Sequence, residues 1–128
     1  MSEPDKKLAA IGIVCSILPS LLFLFSAAMK FKGGPDVEQG FAHLGLPVAM
    51  RLQLGILEVS CLAIYWVPRA AVLGAVLLTG YLGGAILAHW RVGDPVATHV
   101  VMGILVWLGI YLREPRLKAL LPFRTRPS

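Results

Sequence analysis

The sequence predicts an all-α integral membrane protein, an up-down-up-down four-helix bundle with a longer polar loop between helices 1 and 2. Composition is the first observation: 57% of the 128 residues are hydrophobic and 15% are charged, against about 45–50% and about 25% in soluble domains. Four apolar stretches separated by turn residues are the second. One soluble core of this size could not bury so many apolar side chains, so the chain is expected to form a single membrane domain, residues 1–128.

The four apolar stretches define the predicted membrane spans, since crossing a bilayer takes about 20 mainly apolar residues. The spans cover residues 8–29, 48–66, 70–90 and 96–112, and a basic tail covers 113–128. Lipid offers no partner to open backbone, so each span must be a helix. Short turns at 67–69 and 91–95 indicate that spans two, three and four are antiparallel neighbours. The polar loop leaves room for a short helix between Pro35 and Leu44.

The distribution of Lys and Arg predicts the orientation, because cytoplasmic loops carry an excess of these residues. With four spans, both termini lie on the side that holds eight of the twelve basic residues, which favours cytoplasmic termini in a bacterial inner membrane. No basic groove with interleaved aromatic residues suggests nucleic-acid binding. The eight residues are Lys6, Lys7, Arg69, Arg113, Arg116, Lys118, Arg124 and Arg126.

Polar residues within the spans gather in the half of the bundle predicted to face outward. Ionisable groups in a membrane are costly and usually face the bundle interior, and Glu58 lies about 15 Å into the second span at 1.5 Å per residue. Arg51 precedes it by two helical turns. The sequence therefore predicts an outward-facing pocket that binds an amphiphilic ligand. Its candidate ligand-binding residues are Glu58, Arg51, His99, His89 and His43.

Other interpretations of these residues stay open. His89 fits a turn or headgroup position, Arg51 fits a snorkelling side chain, and Glu58 fits a structural hydrogen-bonding role between helices. The His and Glu residues lack the spacing of a metal site, so no metal is predicted. No catalytic motif is present, which leaves open whether the chain is an enzyme.

Small residues on the third span predict a smooth helix face. Gly80, Gly83 and Gly84 are the candidate interface residues, because membrane helices associate through close contact of small side chains. Such a face suits packing within the bundle, a second copy of the chain or another membrane subunit.

Several short segments, in this order and spacing, resemble the DoxX-like family of small four-span membrane proteins. They include F-x-x-L-G-x-P from Phe41 to Pro47 and G-x-x-E from Gly55 to Glu58. The resemblance implies a four-helix membrane fold and suggests redox partners, since relatives include a membrane subunit of a thiosulfate:quinone oxidoreductase. Glu58 matches the second-span glutamate of the family. The remaining segments are Ala28–Phe31, Tyr81–Ala85 with His89, and Tyr111–Arg113.

Three functions are therefore considered. The first is an accessory or redox-associated membrane subunit that binds a quinone-like or lipid-like molecule, with quinone as the candidate cofactor. The second is a non-enzymatic structural or assembly subunit that uses the glycine face. The third is a small solute transporter, which would need oligomers because four helices make a thin wall around a pathway. Expected partners are the lipid bilayer and either other membrane subunits or a second copy of the chain.

Overall fold

The computed structural model describes residues 2–126, and regular structure within that range consists of helices alone. Met1, Pro127 and Ser128 lie outside the described residues, so the last two positions of the predicted basic tail do too. Short 3-10 turns at Val48–Met50, Pro68–Ala70 and Pro115–Ala119 flank the longer helices. These helices are α1 (Glu3–Lys32), α2 (Pro35–Leu44), α3 (Arg51–Tyr65), α4 (Ala71–Arg91) and α5 (Ala97–Arg113).

Helix α1 is bounded by recognisable capping residues. The Ser2 side chain accepts a hydrogen bond from the backbone N–H of Asp5, which satisfies one of the free N–H groups of the first turn. The helix ends before Gly33, whose φ of 69° breaks the helical path. Its 30 residues extend about 45 Å at 1.5 Å per residue, more than the hydrocarbon thickness of a bilayer.

Helix α2 occupies the segment predicted as a polar loop, so the described chain has five α-helices rather than four. Pro35 stands in its first turn, where the missing N–H costs nothing. Gly45, in the left-handed conformation at φ 70°, ends it and donates its N–H to Phe41 and Ala42 carbonyls. Phe41 is the buried residue of this helix. The short helix expected between Pro35 and Leu44 is present with those bounds, and its 10 residues are too few to cross a bilayer.

The four longer helices pack in defined pairs. Helix α1 contacts α3 and α5, and α4 contacts the same two helices. The side chains at their centre include Phe23, Tyr65, Leu78 and Val106, all almost completely buried. A cyclic set of neighbouring helices therefore surrounds one core.

Close helix contact depends on glycines other than those singled out from the sequence. A Cβ atom at Gly109 would lie 2.1 Å from Ser16 Oγ, and one at Gly12 would lie 2.7 Å from the Gly109 carbonyl oxygen. A Cβ atom at Gly74 would lie 2.2 Å from the Cα atom of Tyr65. These glycines let α1 approach α5 and α4 approach α3.

Three helical segments are long and apolar enough to cross a membrane, namely Glu3–Lys32, Val48–Tyr65 and Pro68–Arg91. The predicted fourth span corresponds to the apolar helix Ala97–Arg113, which at 17 residues is shorter than these three. Large hydrophobic side chains cover the outside of the helices, among them Leu21, Phe25, Leu87 and Ile104. An exterior rich in large apolar side chains is typical of a protein whose solvent is lipid.

Candidate functional site

A cavity of about 740 Å³ lies among the helices. Its walls come from the C-terminal halves of α1 and α4, the first half of α3 and the first turns of α5, and α2 forms one further wall. Most of the lining is apolar, and cavities of about 300–1,000 Å³ with a few polar groups are typical of small-molecule sites. Representative apolar lining residues are Phe23, Phe41, Leu54, Leu82 and Met102.

Glu58 supplies the buried polar centre of this cavity. The residue is 1% exposed, and one carboxylate oxygen, Oε2, collects all of its described hydrogen bonds. Lys30 Nζ donates to it at 3.0 Å, the Tyr81 hydroxyl at 3.2 Å and the Ser26 hydroxyl at 3.3 Å. Lys30 also donates to Ser26 Oγ at 2.6 Å. Three helices, α1, α3 and α4, are thereby joined at one carboxylate oxygen.

The other carboxylate oxygen of Glu58 has a different environment. Within residues 2–126, Oε1 accepts no hydrogen bond, although Glu58 lines the cavity. Each oxygen of a carboxylate is a hydrogen-bond acceptor. Glu58 therefore retains an acceptor for a hydroxyl or N–H group placed in the cavity.

The Lys30–Glu58 ion pair depends on a close approach of α1 to α3. A Cβ atom at Gly55 would lie 3.1 Å from the Phe31 ring and 3.4 Å from Lys30 Cβ. Gly55 precedes Glu58 by one helical turn, so its small size leaves room for Lys30 on the same face of α3. This contact gives the G-x-x-E element a physical role.

Sequence reasoning missed the partners of Glu58. The predicted first span ends at residue 29, which leaves Lys30 outside it, and the predicted pocket connects neither Ser26 nor Tyr81 with the carboxylate. The available signal was the spacing of Ser26 and Lys30, which are four residues apart on one face of α1. A carboxylate within a membrane is usually paired with another polar or charged group. Lys30 is the basic residue on the face of α1 that carries Ser26.

The three predicted histidines all line the cavity, and two of them, His43 and His89, contact Asp94. The Asp94 carboxylate lies 2.8 Å from His43 Nε2 and 3.1 Å from His89 Nδ1, which links α2 to the turn between α4 and α5. Hydrogen bonds from His43, and then from His89, hold the pKa of Asp94 below its usual value. The rings of His89 and His99 lie 4.7 Å apart, and His99 Nδ1 is buried without a described partner.

Arg51 is the predicted ligand contact that the structure does not bring to the cavity. Its guanidinium donates to the backbone carbonyls of Lys30 and Phe31, at 3.1 Å for Phe31. These carbonyls end α1, so Arg51 satisfies groups that the helix leaves unpaired. A second arginine, Arg91, donates in the same way to the Leu44 carbonyl at the end of α2.

The three glycines of α4 lie exposed and away from the close contacts within the chain. A Cβ atom at Gly80, Gly83 or Gly84 would meet nothing within 4 Å. Gly80 and Gly84 face the cavity, whereas Gly83 does not line it. An interface between these residues and another protein stays a prediction.

Metal ligation has no geometric basis in the described part of the chain. No group of three or more His, Cys, Asp and Glu side chains between residues 2 and 126 is placed to hold a metal ion. The features that distinguish the cavity are its apolar walls, the buried Lys30–Glu58 ion pair and the three histidines that line it.

The fold and the cavity define a helical membrane protein with a polar centre inside an apolar site. The profile of the DoxX-like family matches residues 7–111, and the chain belongs to this family. Family membership and three long apolar helices together identify an integral membrane protein. Comparisons with curated proteins and with solved structures gave no match.

Proposed function

We propose that this protein is an accessory or redox-associated subunit of a membrane system that binds a quinone-like or lipid-like molecule in the Glu58 cavity. The single observation that supports it is a largely apolar cavity of about 740 Å³ whose buried carboxylate keeps one unused acceptor oxygen. An ion pair with a purely structural role needs no cavity beside it. An amphiphilic ligand, in contrast, requires both an apolar cavity and a free polar contact.

The polar end of the ligand binds to Glu58 and Lys30. A hydroxyl group, such as that of a reduced quinone or a lipid alcohol, donates to Glu58 Oε1, and Lys30 beside it supplies donors for a carbonyl oxygen. The apolar body then lies along side chains such as Leu54, Leu82 and Met102. His43 and His89 stand at the edge formed by α2 and the α4–α5 turn.

The membrane arrangement that we propose is a four-span, up-down-up-down bundle with both termini in the cytoplasm of a bacterial cell. Opposite halves of consecutive long helices contribute to one cavity, which supports antiparallel neighbours. Eight of twelve basic residues then face the cytoplasm. In this orientation the cavity lies in the outward half of the bilayer.

A direct test measures binding of a short-tailed ubiquinone to the purified full-length protein in detergent, together with mass spectrometry of co-purifying quinones and lipids. The decisive pair of variants is Gly84→Phe and Gly83→Phe. Both glycines have open space around a Cβ atom, but only Gly84 lines the cavity. We expect Gly84→Phe to fill the cavity and lower quinone affinity at least about tenfold, as loss of roughly 1.4 kcal/mol would, while Gly83→Phe binds normally.

Glu58→Gln tests the contribution of the polar contact to binding independently of the shape of the cavity. The substitution keeps the side-chain volume but replaces the acceptor Oε1 or its neighbour with an NH₂ group, so binding of a quinol should weaken more than that of its oxidised quinone. Equal binding by all of these variants, with no quinone or lipid co-purifying, would contradict the proposal.

The exposed glycine face supports a second candidate, a structural or assembly subunit. Gly83 lies outside the cavity with nothing near a Cβ atom, so it presents open helix backbone to a neighbouring membrane helix. In that case Gly83→Phe abolishes co-purification of a partner subunit or of a second copy, whereas Glu58→Gln has no effect on it.

A further inference from the structure

A second cavity, of about 320 Å³, lies at the opposite end of α4 and α5 from the Glu58 cavity. It is formed where the turn before α4 meets the end of α5 and the Pro115–Ala119 turn. Three arginines line it, namely Arg69, Arg113 and Arg116, together with one carboxylate, Glu114.

The charges around this cavity do not cancel. Glu114 pairs with Arg116, with Oε1 2.8 Å from Nε. Across residues 2–126, no carboxylate lies within 4.0 Å of the cationic nitrogens of Arg69 or Arg113. The cavity therefore has a net positive charge, with two guanidinium groups that no carboxylate of residues 2–126 neutralises.

Arg113 is held firmly but retains unused donors. Its Nε donates to the Gly109 carbonyl at 3.2 Å, and its guanidinium carbon lies 5.2 Å from the Tyr65 ring centre and 5.3 Å from that of Trp66. Within the described residues its Nη2 atom is buried without a hydrogen-bond partner. A guanidinium held against two adjacent aromatic rings is pre-organised, so little side-chain entropy is lost when an anion binds.

The remaining wall of the cavity is apolar. Val72, Ile110 and Leu120 line it, and both Val72 and Leu120 are more than one-third exposed on the outside of the protein. An arginine-rich cavity beside an exposed apolar surface suits a molecule that joins a phosphate group to a hydrocarbon chain. Guanidinium groups match phosphate oxygens in geometry as well as charge.

We propose that this cavity binds a phosphate group, with the headgroup of an anionic phospholipid as its source. Arg69 and Arg113 contact the phosphate oxygens, and the acyl chains extend along Val72 and Leu120. This end of the helices also carries the basic C-terminal segment, which attracts anionic lipids to the same membrane surface.

The test uses the full-length protein, stripped of lipid in detergent, with lipid retention followed by native mass spectrometry and intrinsic tryptophan fluorescence. Phosphatidylglycerol, phosphatidylcholine and inorganic phosphate are the three probes. The key variant is Arg69→Gln, since Arg69 is exposed and forms no ion pair within residues 2–126. Arg124→Gln, which removes the same charge outside the cavity, is its matched control.

We expect phosphatidylglycerol to bind the wild type more tightly than phosphatidylcholine. Arg69→Gln should weaken phosphatidylglycerol binding about fivefold, the effect of about one basic contact at a membrane surface, and Arg124→Gln should have little effect. Saturable binding of inorganic phosphate that is equally sensitive to Arg69→Gln would assign the same site to a free phosphate compound. Equal losses in the two variants, or equal binding of the two lipids, would overturn the proposal.

Discussion

Lys30 and Glu58 form an ion pair across the contact between α1 and α3, with 3.0 Å between Nζ and Oε2. The Glu58 side chain is 2% exposed and that of Lys30 is 16% exposed. Lys30→Met should destabilise the protein by about 3–5 kcal/mol, because removing one partner leaves a buried charge without compensation. The free energy of unfolding, measured by SDS titration in mixed micelles, checks this value.

The double variant Lys30→Met/Glu58→Gln provides the control. With both charges removed, most of the lost stability should return, since neutral groups cost less to bury than one unpaired charge. If Lys30→Met is as stable as the wild type, or if the two substitutions act additively, the pair has no energetic coupling.

The membrane character and most helix positions were predictable, because they depend on local composition. An apolar run such as residues 70–90 must satisfy its backbone internally in lipid, whatever surrounds it. The helix at Pro35–Leu44 was visible as an option from Pro35 and Gly45, which mark its two ends. Its role as a cavity wall was not, since that depends on where α2 lies relative to α4.

The candidate site was only partly predictable from the sequence, because it depends on contacts between helices rather than on local composition. Glu58 stood out because a carboxylate in an apolar span is rare. Its pairing with Lys30 follows from the close approach at Gly55, a contact between α1 and α3 that no single-helix pattern contains. Likewise, the spacing of Arg51 and Glu58 places them on one helix face, which predicts a shared site. The Arg51 side chain instead donates to two carbonyl groups at the nearby end of α1.

Gly109 should tolerate no side chain at the contact between α1 and α5. A methyl group there would lie 2.1 Å from Ser16 Oγ and 2.9 Å from the Gly12 carbonyl oxygen, so Gly109→Ala should cost about 1–3 kcal/mol through overpacking. Gly83→Ala is the matched control. It meets nothing within 4 Å and should leave stability unchanged or raise it by up to about 1 kcal/mol. Thermal unfolding in detergent distinguishes the two, and similar melting temperatures would contradict the close contact.

The Tyr65 hydroxyl should contribute to stability at the centre of the helices. Tyr65 is 0% exposed, and its hydroxyl oxygen lies 2.7 Å from both Ser16 Oγ and the Val106 carbonyl oxygen. Tyr65→Phe should cost about 1–3 kcal/mol, since a buried carbonyl loses its donor. Tyr111→Phe, which removes a hydroxyl with no described hydrogen bond, should change stability by less than about 0.5 kcal/mol. Equal effects in SDS titration would show that the Tyr65 hydrogen bonds add nothing.

The Asp94 contacts with His43 and His89 should make the attachment of α2 sensitive to acid. Because hydrogen bonds from His43 and then His89 lower the pKa of Asp94 in the folded protein, its stabilising effect is present above the unfolded pKa. That effect is lost as pH falls through the folded pKa, in a window beginning below about pH 4. Hydrogen exchange of α2 backbone amides should therefore accelerate below this pH in the wild type, beyond the intrinsic pH dependence of exchange. Asp94→Asn should show faster α2 exchange already near neutral pH and no further step in acid. An acid step of the same size in Asp94→Asn would assign the pH sensitivity to other groups.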